Sequence, residues 1–125
     1  DFFGDVLYNR GVFNTLLVAE AIRVAIKKHG PKITGKELRW GLENLDLTED
    51  RLAELGAKGF GKPIKITCAD HEGNGPVLFQ EWDGEKWVIV SDWISPLGKI
   101  VRPMLEKAAA KEAEKWDYKM RTDCN

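Results

Sequence analysis

The sequence predicts a mixed α/β chain. Apolar residues recur at helical spacing through residues 12–28, the period changes to two at Ile64, and Asp83-Gly84 separates two β-forming runs. The resulting order is strand, three helices, strand, hairpin, helix. It offers no repeated βαβ unit and few strands for its helices to cover, so as a fold it reads as incomplete.

Taken in order, Asp5-Val6-Leu7-Tyr8 reads as a short strand entering a turn at Asn9-Arg10-Gly11. In 12–28, Phe13, Leu16, Leu17, Ala21, Val24 and Ala25 share a helical period, with Glu20, Arg23, Lys27 and Lys28 between them. That pattern predicts a largely buried helix. It should stop at His29-Gly30-Pro31, where glycine accepts the left-handed cap and proline cannot continue the ladder. Thr34-Gly35-Lys36-Glu37 fits a capping box and opens a second helix to about Asn44. Thr48-Glu49-Asp50 opens a third, which Gly56 closes. After the break at Gly59-Phe60-Gly61-Lys62-Pro63, Ile64, Ile66 and Cys68 alternate with Lys65 and Thr67 as a half-buried strand requires. Runs 77–82 and 86–90 form the hairpin. A last amphipathic helix spans about 100–116, with Pro103 in its first turn where a missing amide does little harm. Residues 120–125 carry no period.

Composition narrows the function classes. The 125 residues fit one ordinary domain, and 19 Lys and Arg against 20 Asp and Glu leave a net charge of −1. No broad basic surface exists for phosphate backbones, so nucleic acid is not an expected partner. The longest uncharged apolar stretch, 12–19, falls well short of the roughly 20 residues that cross a bilayer. The chain opens on Asp1-Phe2-Phe3-Gly4 without Met or a charged-then-apolar leader, as a segment cut from something longer would. Cys68 and Cys124 lack C-x-x-C spacing, which argues against a zinc knuckle or a thioredoxin-like site; an even count permits a disulfide without demanding one.

Several stretches carry groups capable of chemistry. Asp70, Glu72, Asn74, Gly75 and Glu81 nearly match a calcium-loop pattern, with Glu at the third ligand position. Strands rather than helices flank it, so a solvated Gly/Asn turn is the better reading and no metal or cofactor is expected. Asp70, His71 and Glu72 could act as general acid and base in a metal-dependent hydrolase, but neighbours on an extended segment point to alternate faces. Gly59-Phe60-Gly61-Lys62 lacks the glycine spacing and the Ser/Thr of a phosphate loop. Trp82, Trp87 and Trp93 could line a pocket or cover a sheet face. Tyr8, Asn9 and Arg10 gather a ring, an amide and a guanidinium at the predicted strand end before a helix, the edge where open α/β sheets bind ligands, although by themselves they read first as ordinary turn residues.

Three blocks, 6–23 (Val6-Leu7-Tyr8-Asn9-Arg10-Gly11 and onward), 34–45 (Thr34-Gly35-Lys36-Glu37-Leu38-Arg39-Trp40 and onward) and 68–84 (Cys68-Ala69-Asp70-His71-Glu72-Gly73-Asn74 and onward), together resemble the closing third of the leucine/isoleucine/valine-type periplasmic binding proteins. The likeness is to the branch serving amide, urea or aromatic-acid ABC importers. It implies a type I fold of two doubly wound α/β lobes joined by a three-strand hinge. In that frame 1–75 completes the first lobe, 76–95 crosses the hinge, and 96–125 supplies a helix and tail on the second. The implied function is that of a non-enzymatic, extracytoplasmic (periplasmic) solute-binding component. It would close on an amino acid-like, amide or aromatic-acid ligand and dock to a membrane ABC permease, with upstream chain of the same protein completing the lobes. Tyr8 occupies the position whose side chain touches the ligand in such proteins, with Asn9 and Arg10 beside it. The tail Thr122-Asp123-Cys124 resembles cysteine-containing tails of that branch and implies a Cys68–Cys124 disulfide, which an extracytoplasmic compartment allows. The alternatives are a cytoplasmic ligand-sensing regulator on the same fold and, third, the hydrolase built on Asp70, His71 and Glu72.

Overall fold

The computed structural model describes residues 6–73, 75–119, 121 and 124. The chain divides into two compact units, Asp1–Gly73 and Asn74–Asn125.

The first unit is built on helix α1 (Val6–His29), which packs against α2 (Gly35–Leu42). Gly30 ends α1 with φ of 86°, and its N–H donates to Ile26 O at 2.9 Å. The predicted box starts α2: the Thr34 N–H donates to Glu37 Oε2 at 2.8 Å and the Lys36 N–H to Thr34 Oγ1 at 3.3 Å. Gly41 sets how closely the helices approach, because a Cβ there would lie 2.2 Å from Ala21 O and 3.0 Å from Ala25 Cβ. Strand β1 (Asp46–Leu47) pairs antiparallel with β2 (Ile64–Lys65), Asp46 opposite Lys65 and Leu47 opposite Ile64. Between them lies α3 (Glu49–Glu54), whose Thr48 hydroxyl accepts from Arg51 N–H at 3.2 Å.

Leu47, Leu52 and Ala57 form the core, with Phe13, Leu16 and Leu17 of α1 and Ile64 of β2 packed against it. Each fully buried leucine contributes about 1.5–3 kcal/mol of transfer free energy. One charge is buried with them. Glu20 is 5% exposed, and its carboxylate accepts from Arg51 Nε and Nη2 at 2.9 and 2.8 Å and from Arg23 Nε at 2.9 Å. This fork ties α1 to α3 across 31 residues of sequence.

In the second unit, β3 (Gln80–Trp82) and β4 (Trp87–Ile89) form an antiparallel hairpin, extended by a bridge between Val77 and Ile94. Asp83 makes the turn: its Oδ1 accepts from the N–H groups of Glu85 and Lys86 at 2.8 and 2.9 Å, and Gly84 follows with φ of 108°. These two amides hold the Asp83 carboxyl below the usual carboxylate range. Helix α4 (Gly98–Lys115) carries Pro103 in its second turn and no buried residue. Among the described residues, none of this unit is buried.

The expected two-lobe, doubly wound α/β fold is therefore corrected. The chain is mostly helical, and its named strands form two separate two-stranded antiparallel sheets. The N-terminal strand is the first cause. Val6, Leu7 and Tyr8 belong to α1, which runs through Gly11 without a turn; Asp5 lies outside the described residues. A glycine inside a helix costs about 1 kcal/mol relative to alanine, and a long helix absorbs that. The strand after Pro63 is shorter than its alternation suggests, because Ile66 N–H turns to Leu45 O at 2.9 Å and Thr67 closes a turn with Asp70.

Candidate functional site

Tyr8 lines a shallow apolar groove of about 580 Å³ with Gly11, Val12, Thr15, Leu16 and Ala19. These residues recur at three and four positions, so they form a single stripe of α1. The lining pairs small residues at 11, 15 and 19 with the larger Tyr8, Val12 and Leu16. Thr15 Oγ1 donates to Gly11 O at 2.9 Å, which turns its polar atom onto the helix backbone and leaves the groove apolar. Asn9 and Arg10 project elsewhere from the same turn and do not line it. The structure thus places the three sequence-selected residues on consecutive positions of a helix rather than at a strand end, and only Tyr8 faces the groove.

A second open groove, about 400 Å³, lies at the end of α4 between Ala109, Glu112, Ala113, Trp116 and Tyr118. The Trp116 indole N–H donates to Glu112 Oε2 at 3.1 Å, and the Lys115 ammonium sits 5.2 Å from the Trp116 ring centroid. The sequence reading missed this site, having placed Trp116 only as the helix's last residue. Its signal was Glu112 and Trp116 at i and i+4.

Elsewhere the residues with chemical potential are engaged structurally. Asp70 Oδ1 accepts from the Glu72 N–H at 2.9 Å, and His71 Nε2 lies 3.3 Å from Glu43 Oε1, which also accepts from Arg39 Nε at 2.9 Å. Asn74 of the calcium-like run lies outside the described residues, and among the described residues no group of three acidic, histidine or cysteine side chains could hold a metal ion. Gly61 is packed under the Phe13 ring, where a Cβ would approach to 2.3 Å, and Phe13 stacks tilted on Phe60 at 6.3 Å. Gly61 thus serves packing, whereas Gly59 serves the backbone turn with a φ of 79°. Trp82 and Trp87 meet edge to face across the hairpin at 5.7 Å while staying exposed. Cys68 and Cys124 are both disulfide-bonded, and no cysteine is free.

Glu20 is a buried acid held by two guanidinium groups. Hydrogen bonds from Arg51 hold its carboxyl below the usual carboxylate range, Arg23 adds to this, and burial opposes it. It faces the α3 guanidinium rather than either groove, so its role is architectural.

No family model and no curated protein matches this chain. A solved structure described as an ABC transporter permease from the Pseudomonas fluorescens group matches 99% of it at 40% identity, with a TM-score of 0.89. The chain spans about 30% of that protein's length. The description corrects the resemblance to the leucine/isoleucine/valine-type binding proteins: the similarity is to ABC transport machinery, on the permease side, and not to a solute-binding component. Capture of a branched-chain amino acid or related solute, and a periplasmic location, fall with that correction. The cytoplasmic sensor and the hydrolase gain no support from it either. Of the local claims that came with the resemblance, the strand end at Tyr8 is replaced by the interior of α1, whereas the disulfide expected of Cys68 and Cys124 is present.

Proposed function

We propose that this chain forms part of an ABC transporter, belonging to its permease side, and that it carries out no covalent chemistry of its own. The observation that supports the reading is the 40% identity, spread over 99% of the chain, to the protein described as an ABC transporter permease. Such continuous similarity across both units is what a shared role within a larger polypeptide produces. Among the described residues no helix is long and apolar enough to cross a membrane. In this reading the chain's contribution is therefore to pack against, and position, other parts of the transporter.

The test is fractionation. The polypeptide that contains this chain, expressed with an affinity tag in its native cell and cross-linked before lysis, should be recovered with membranes and joined to a subunit bearing an ATP-binding cassette. Recovery away from membranes, with no such subunit attached, overturns the proposal.

A further inference from the structure

We infer that the hairpin of the second unit is an interior element, enclosed on both faces by the remainder of a transporter polypeptide like the threefold longer neighbour. The inference rests on the permease-side reading. It starts from the pairing of Gln80 with Ile89, Glu81 with Val88 and Trp82 with Trp87. Strand side chains alternate between faces, so Trp82, Trp87 and Ile89 share one face with Gln80. Val88 stands on the other with Glu81, joined by Phe79 and Val90, whose backbones are bonded at 3.0 Å. Both faces are apolar and both are exposed: Phe79 by 60%, Trp87 by 62%, Ile89 by 58%.

A half-buried antiparallel hairpin would alternate apolar and polar residues; a pair that is apolar on both sides has the pattern of strands covered by layers above and below. That requirement selects the occupant. A bilayer surface or a second copy of this chain lying against the hairpin covers one face and leaves the other in water. Enclosing both takes a larger body of chain. The neighbour has one, since the part matched here is 30% of its length. Helix α4 points the same way, with Ile100 and Met104 exposed by 63% and 66% and no residue buried.

The experiment grafts this chain in place of the matching segment of the neighbouring permease and compares hydroxyl-radical labelling in the full-length chimera with that in the 125-residue chain alone. Labelling of Phe79, Trp87, Ile89 and Met104 should fall at least about fivefold in the chimera, on residues from both hairpin faces. Equal labelling in the two overturns the inference. So does protection of the lone chain by phosphatidylcholine vesicles, or in a self-associated dimer seen by sedimentation, to the level expected of the chimera. If the chimera does not accumulate, the same labelling is read in the unaltered neighbour at the aligned positions, where free labelling overturns it. Fractionation of the native polypeptide is decided separately, so a failure here leaves the permease-side reading standing.

Discussion

Glu20 shows how one side chain can organise a unit while remaining nearly silent in the sequence. By periodicity it is only one of four charged positions in 12–28, and nothing in the pattern says that Arg51 reaches it from 31 residues away. Removing the carboxylate leaves Arg51 and Arg23 without their shared acceptor, and truncating one partner of a buried charge-assisted pair is costly. Glu20→Ala should therefore lower stability by about 2–4 kcal/mol in urea titration. Glu54→Ala, which removes an exposed partner of the same arginine, should cost under about 1 kcal/mol. The pH dependence follows from the depressed carboxyl. Above the ordinary value of 4.5 the contribution of Glu20 is complete, and it is lost as pH falls through the lower folded-state value. Glu20→Gln should flatten that part of the acid limb relative to the parent; an unchanged slope would show that the carboxylate is not the group responsible. His71 teaches the converse, since the Asp70-His71-Glu72 run looked like chemistry and is a turn whose histidine meets Glu43.

Among the elements, caps and turns were the legible features because they depend on two or three adjacent residues. Thr34 with Glu37, Thr48, Gly30, Gly56 and Asp83-Gly84 each do locally what their chemistry predicts. In the first of these the Thr34 hydroxyl and backbone bonds depress the Glu37 carboxyl to about 2. Thr34→Ala should accordingly destabilise by about 1 kcal/mol, read as faster hydrogen exchange of the first α2 amides. Helix against strand at 6–8 was not legible, because Val6, Leu7 and Tyr8 suit both and the decision falls to the continuous α1 ladder beyond them. Two glycines make that point measurable. Gly11 lies inside α1 with nothing within 4 Å of where a Cβ would stand, whereas at Gly41 that atom would strike the backbone of Ala21 at 2.2 Å. Gly11→Ala should stabilise the chain by about 0.5–1 kcal/mol through helix propensity. Gly41→Ala should destabilise it by about 1–3 kcal/mol, because the α1–α2 approach must open. Thermal unfolding of both variants decides whether propensity or packing rules each site.

At the scale of the whole molecule, the two units differ in what holds them. The sequence predicts few strands for its helices to cover, and among the described residues the named strands pair only as two two-stranded sheets. What periodicity could not reveal is where the burial went, since Leu16 and Leu17 pack on the core of Leu47 and Leu52 while Ile100 and Met104 stay largely exposed. Stability should be distributed accordingly. Opening a region costs free energy in proportion to the apolar contacts it breaks, and a two-stranded hairpin alone in water is marginal. In the isolated chain, amides of α1, α2 and α3 should exchange slowly, and those of β3, β4 and α4 at close to unprotected rates. Leu52→Ala, which empties a fully buried site, should cost about 2–5 kcal/mol and speed exchange throughout the first unit. It should leave the rates in β3, β4 and α4 unchanged, because none of their residues is buried. If the substitution accelerated both regions together, the hairpin and α4 would have to share the first unit's cooperative unfolding, and the separation drawn from burial would be wrong.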